Sequence, residues 1–163
     1  GVAADPDLFS EVLYEGFVTP MMHPSIAARI SEPADLLGEK LIHDDSLDFM
    51  AQPPGWAAWF AAAGVSHVAL RGTHFSQADH GIDMALNGAG VVMGRSSITT
   101  GALRDGALVA PFNLAITVAA HYRIVCLPGT ETRPAIARFR EWAHAEVAKD
   151  APLAERFEKV HIP

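Results

Sequence analysis

Three groups of side chains in this 163-residue chain lie close enough in sequence to act together, and each suggests a different chemistry. His43, Asp44, Asp45 and Asp48 are of the right types for a divalent cation. Neither a helical His-x-x-x-His spacing nor the alternation of a calcium loop is present, so the expectation is a solvated turn and no metal. Gly94-Arg95-Ser96-Ser97-Ile98 follows a strand in the manner of a nucleophile elbow, with Ile98 where the second glycine is required. No nucleophile, base and orienting group otherwise come together, so a small α/β hydrolase is the weakest reading and no enzyme is expected. Ser76, Gln77 and Asp79 open a helix, where free backbone N–H groups, a hydroxyl and an amide can orient a carboxylate or amide. Ser76 and Asp79 also have near capping-box spacing, and capping and ligand contact coexist because they use different donors. An acidic Asp79 disfavours an anion unless a cation pairs with it.

The elements that must position these groups follow from periodicity. Leu8 to Leu13 and Phe17 to Met22 read as strands, Pro20 demoting the second to an edge or crossover. Short helices are expected at Ser25 to Ile30 and Pro33 to Leu37, then a strand from Lys40 to His43. Trp56, Trp59, Phe60 and Ala63 recur at helical spacing and Gly64 stops that helix. Val68 to Arg71 is strand-like, and Ser76 starts a helix with Ile82, Ala85 and Leu86 inward. Gly88-Ala89-Gly90 follows a helix and precedes the strand Val91 to Met93, the reverse of a phosphate-binding turn, so it is a helix stop. Ser96 to Leu103 is helical, and Ala107 to Ala110 is extended. Ala115 to Leu127 is β-rich and long enough to cross between lobes. A last long helix begins after Arg133-Pro134, with Ile136, Phe139, Trp142, Ala143 and Val147 as its inner stripe, and Leu153 to Phe157 is a weaker one. Strands alternating with helices give an α/β architecture with mainly parallel pairing.

Composition narrows the function classes. Half the residues are apolar, enough for a core, and 19 acidic against 12 basic residues give a net charge of −7. Without a basic stripe the chain itself is a poor binder of nucleic acid. The longest apolar run falls far short of the ~20 residues of a membrane helix. One cysteine, Cys126, sits in a β-rich stretch and fits a reducing compartment, the cytoplasm by default. No cofactor-binding motif is evident.

An ordered set of segments then resembles one family. His23-Pro24 ends a strand, Pro33-Ala34-Asp35-Leu36 opens a helix, and Leu41-Ile42-His43-Asp44 is followed by Trp56-x-x-Trp59-Phe60-x-x-x-Gly64. Phe75-Ser76, Gly88-x-Gly90-Val91-x-Met93-Gly94-Arg95, Tyr122-Arg123-Ile124-Val125-Cys126 and Phe139-Arg140-Glu141-Trp142 come next in order. Together they are similar to the effector-binding domain of LysR-type transcriptional regulators, in the branch of the glycine-cleavage and β-lactamase regulators.

The resemblance implies a two-lobed, type II periplasmic-binding-protein-like fold. It divides the chain into an incomplete first lobe, residues 1–22 and 113–163, and a complete second lobe, residues 23–112. It implies a chain that starts after a helix-turn-helix and the opening of the first lobe, a homodimer or higher homo-oligomer, and contact with DNA only through that missing part. A small effector is expected between the lobes, at Met22, His23, Phe75, Ser76, Gln77, Asp79 and Tyr122. A transport-type solute-binding protein shares the fold and is the alternative.

Overall fold

A computed structural model describes residues 5–66 and 68–162 and contains eight strands and six α-helices among them. The strands are β1 (Phe9–Tyr14), β2 (Val18–Met22), β3 (Leu41–Asp44), β4 (Gly72–Phe75), β5 (Val91–Arg95), β6 (Leu114–Thr117), β7 (Tyr122–Cys126) and β8 (Glu158–His161). The helices are α1 (Pro24–Ala27), α2 (Trp56–Ala62), α3 (Ala78–Leu86), α4 (Ser96–Arg104), α5 (Pro134–Ala148) and α6 (Ala151–Ala154). Turns of 3-10 helix at Pro33–Gly38 and Asp45–Leu47 flank β3.

Six strands form one sheet in the order β4-β3-β5-β2-β6-β8, and β1 pairs with β7 in a separate two-stranded sheet. Pairing in the large sheet is mixed, with β3 parallel to β4 and β5 but β2 antiparallel to β5 and β6. The parallel majority expected from sequence is kept in three of the five pairings of this sheet, and β2 is the exception because it enters against the direction of both neighbours. The large sheet draws strands from both sides of residues 22 and 113. The large sheet takes β2, β3 to β5, and both β6 and β8, the last running parallel to β6 and shielding its open edge.

Alternation along the strands explains why this sheet is covered on both faces. Val18 and Met22 of β2, Leu41 of β3, and Val91 and Met93 of β5 join Trp56, Trp59 and Phe60 of α2 in one core. The intervening Met21, Ile42 and Val92 join Ile82 and Ala85 of α3 with Leu108 and Phe157 on the other face. This period-2 exchange is what a doubly covered sheet requires. Leu114 O accepts from Thr19 Oγ1 at 2.8 Å and from Trp59 Nε1 at 3.1 Å, which ties β6 into the sheet from both sides.

Pro20 sits in an interior strand, not at an edge. Met22 directs its N–H and C=O to Val109, away from β5, so Pro20 and Val18, two and four positions back, point the same way. Pro20 thus faces the gap between the Val18–Ile116 pair and the Met22–Val109 bridge, where its missing donor interrupts no ladder.

Other departures have similar local causes. The strand expected at Val68 to Arg71 lies four residues later, where Gly72 sits beside Leu41 so closely that a Cβ would fall 2.1 Å from Leu41 O. The stretch Ala115 to Leu127 is split into β6 and β7 and does cross from one sheet to the other. On α5 the inner stripe is Ile136, Arg140, Ala143 and Val147, while Phe139 and Trp142 are 54% and 58% exposed. Arg140 turns inward because Glu11 of β1 meets it with two hydrogen bonds of 2.6 Å.

Candidate functional site

The two sheets meet at the strand-to-helix junction of β5 and α4. Phe17 and Ser96 exchange hydrogen bonds there: Ser96 N donates to Phe17 O, and Phe17 N donates to Ser96 Oγ, both at 2.9 Å. The Tyr14 hydroxyl, at the end of β1, donates to the same Ser96 Oγ at 2.7 Å. Burial pushes the Tyr14 hydroxyl above its ordinary pKa, so it keeps its proton and remains a donor. Ser96 has no exposed surface, and with its oxygen committed to two donors it is a pin between sheets rather than a nucleophile.

Beside the pin lies a trough of about 590 Å³. The exposed side of the small sheet forms one wall with Ser10, Arg123 and Val125, while the loop after β3 forms the other with Leu47, Phe49, Met50 and Pro54. Ser97 of α4 lies at its floor, beside the buried Ser96. The side chains of Ser10, Arg123 and Val125 share a face because Ser10 stands opposite Val125, and Arg123 is two residues before Val125 on β7. The reverse face carries Phe9 and Glu11 against α5, where the Arg140 guanidinium lies 4.8 Å from the Phe9 ring centroid. Tyr122 closes the trough near α4, its hydroxyl 2.8 Å from Ser97 Oγ.

A smaller cavity of about 220 Å³ continues the trough past Arg95, which lines both. Arg95 is held there by Asp44, with Nε and Oδ2 3.2 Å apart but poorly aligned, and by Ser46, whose Oγ accepts from Nη2 at 3.3 Å. The His43 and His74 rings stack at 4.2 Å, and His74 Nδ1 lies 2.9 Å from Asp45 Oδ1. Burial, then the neighbouring His74, lowers the pKa of His43 and favours its neutral ring. So His43 to Asp48 is an ordered turn rather than a merely solvated one. Among the described residues no group of three or more His, Cys, Asp or Glu side chains is arranged to hold a metal ion.

The structure scatters the effector residues expected from sequence. Tyr122 lines the trough. Met22 is fully buried, and His23 caps α1 through Ser25, at the opposite end of β2 from the trough. That separation is roughly 13 Å along the strand. Phe75 is packed into the second core, and Ser76, Gln77 and Asp79 are exposed where edge strand β4 meets α3. They share the trough's end of the sheet but stand two strands, about 10 Å, from Arg95. Gln77, not Ser76, is the N-cap of α3 and makes no side-chain cap hydrogen bond, so the Ser76–Asp79 capping box does not form. β4 runs through Phe75 and leaves the turn only two residues before the helix.

Sequence reasoning missed Ser10 and Arg123, and weighed Arg95, Ser96 and Ser97 only as an incomplete nucleophile elbow. A usable signal was present, since ligand sites in open α/β sheets gather beyond the carboxyl ends of strands and β5 runs straight into α4.

Comparison with known proteins adds the rest. The chain is 30% identical to the HTH-type transcriptional activator AmpR of Citrobacter koseri over 137 residues, covering 84% of this chain and 45% of that protein. It is 26% identical over 149 residues to the glycine cleavage system transcriptional activator of Escherichia coli K12, covering 89% and 47%. The chain thus spans about half the length of the curated relatives it matches. The effector domain of AmpR from Pseudomonas aeruginosa superimposes with a TM-score of 0.68 at 26% identity, covering 91% of this chain and 70% of the other. The fold is accordingly the two-lobed, periplasmic-binding-protein-like one of those domains. The LysR substrate binding domain family matches residues 1–148, and the chain belongs to that family.

Proposed function

We propose that this chain is the effector-sensing part of a LysR-type transcriptional regulator, with a small molecule bound in the trough between its two sheets. The observation that carries this reading is the trough itself, about 590 Å³ of mostly apolar lining that draws residues from both sheets and from the start of α4. A ligand there touches β7 on one side and the loop after β3 on the other, so its affinity depends on the angle between the sheets. Ligand binding then shifts the population of that angle, and a homodimer passes the bias to DNA-binding segments elsewhere in the protein. Of the residues expected from sequence, Tyr122 lines the trough, which supports this reading. Contact from Met22, His23 or the Phe75 to Asp79 corner would need a second site. The net charge of −7 supports a chain that does not itself hold DNA.

The test is a thermal-shift screen of small molecules on the full-length protein, repeated with Val125→Asp, which puts a charge into the apolar wall. Compounds that raise Tm in the parent should lose their effect in the variant, and a reporter gene should stop responding while affinity for duplex DNA persists. An effector whose response survives the obstruction would place the site elsewhere. The chain alone should retain no duplex DNA at moderate salt, and a tight, sequence-specific gel shift would contradict the reading.

A further inference from the structure

Arg123 stands out among the half-buried arginines. Arg95 is paired with Asp44 and Arg140 with Glu11, whereas Arg123 has no carboxylate within 4.0 Å among the described residues. Its Nη1 donates to Ser10 Oγ at 3.1 Å, which fixes the guanidinium on the trough wall. Its Nε is buried and finds no acceptor. A half-buried cation with donors left over is an unfavourable arrangement that an incoming anion relieves.

The charge distribution points the same way. The chain as a whole carries −7, yet the trough is lined by two arginines and one aspartate, Asp5. Around this cation the surface is apolar: Phe49 is 83% exposed and Val125 53%, and Met50, Pro54 and Val118 line the same space. Exposed apolar side chains facing a fixed guanidinium complement a ligand with an apolar body and one planar anionic head.

We infer that the trough takes a small organic carboxylate with an apolar body, and that Arg123 is the residue that holds its carboxylate. This rests on the trough being the effector site. Arg123 presents a planar fork that matches a carboxylate geometrically, and Ser10 pre-orders it, so less side-chain freedom is lost on binding. Tyr122 and Ser97 supply hydroxyls beside the apolar surface for whatever polar group the body carries.

The inference is tested with matched probes on the full-length protein: phenylacetate against phenylacetamide, and 4-phenylbutyrate against its primary amide, by calorimetry. Each carboxylate should bind at least about tenfold more tightly than its amide, the size expected of hydrogen bonds to a charged group. Arg123→Gln should erase that preference while leaving amide binding and Tm close to the parent, and Arg123→Lys should restore part of it. Equal affinity for acid and amide, or a preference that survives Arg123→Gln, would overturn the assignment. Binding of both members that is lost in Val125→Asp but untouched in Arg123→Gln removes Arg123 and keeps the trough. Failure of every carboxylate to bind at millimolar concentration overturns the proposed ligand class, and the broader screen then decides the trough on its own.

Discussion

The large sheet buries Trp59, Phe60, Met21 and Leu36 completely, whereas neither strand of the small sheet contains a fully buried residue. What holds β1 and β7 is polar: the Glu11–Arg140 fork, His144 Nε2 at 3.4 Å from the same carboxylate, and the Arg140–Phe9 contact. Two strands alone are marginal in water, so this sheet depends on α5 and on the Ser96 pin for its place. The contrast separates a rigid body stabilised by apolar area from a lighter one held by directional contacts. Elements that respond to ligands come from the less stable end of a structure, and here that element forms one wall of the trough.

Trp59→Ala should break the rigid side of this comparison outright. It removes a fully buried indole and its hydrogen bond to Leu114 O, and large-to-small changes of this kind cost about 3–5 kcal/mol. Thermal denaturation should show the whole large sheet melting earlier, and a shift of only a degree or two would mean that α2 contributes little to the core.

Glu11→Gln attacks the light side and should act locally. Amides of β1 and β7 should exchange severalfold faster, while those of β2, β3 and β5 keep their protection. The same anchorage should respond to pH. The Arg140 hydrogen bonds hold the Glu11 pKa below its ordinary value of 4.5, so the carboxylate's contribution is complete above that value and is lost as pH falls through the lower folded one. Protection of β1 amides relative to their intrinsic exchange rates should therefore fall on acidification below about pH 4 in the parent and stay flat there in the Gln variant. Uniform acceleration across both sheets would show a single cooperative unit.

The same contrast marks what could be read before the fold was known. The α2 stripe of Trp56, Trp59 and Phe60 and the apolar strand at Val91 were legible, because burial writes a periodic pattern into the residues that carry it. The family resemblance was legible from such segments in order. Residues of the small sheet carry no such pattern. Arg140 lies inward through one ion pair with a residue 129 positions away, and Phe139 and Trp142, apolar at helical spacing, lie outward. The site suffered most. Ser76 and Asp79 have capping-box spacing, yet β4 extends to Phe75 and moves the cap to Gln77. Ser10 and Arg123 come together only through the pairing of β1 with β7, which leaves no local signal.

Tyr14→Phe makes the smallest change and asks whether the two bodies are coupled where the structure joins them. It removes one hydrogen bond at the pin and leaves Ser96 Oγ with the Phe17 N–H donor, so no buried group is orphaned. The cost should be about 1 kcal/mol or less, far below that of Trp59→Ala. Ser96→Ala is the contrasting variant, because it leaves the Phe17 N–H without its acceptor and should cost about 1–3 kcal/mol. If the pin sets the angle between the sheets, Tyr14→Phe should alter the midpoint of effector response in a reporter assay while Tm stays nearly constant. A response midpoint that tracks Tm across both variants would instead mean that the pin is part of the core, and the angle between the sheets would then have to be set elsewhere.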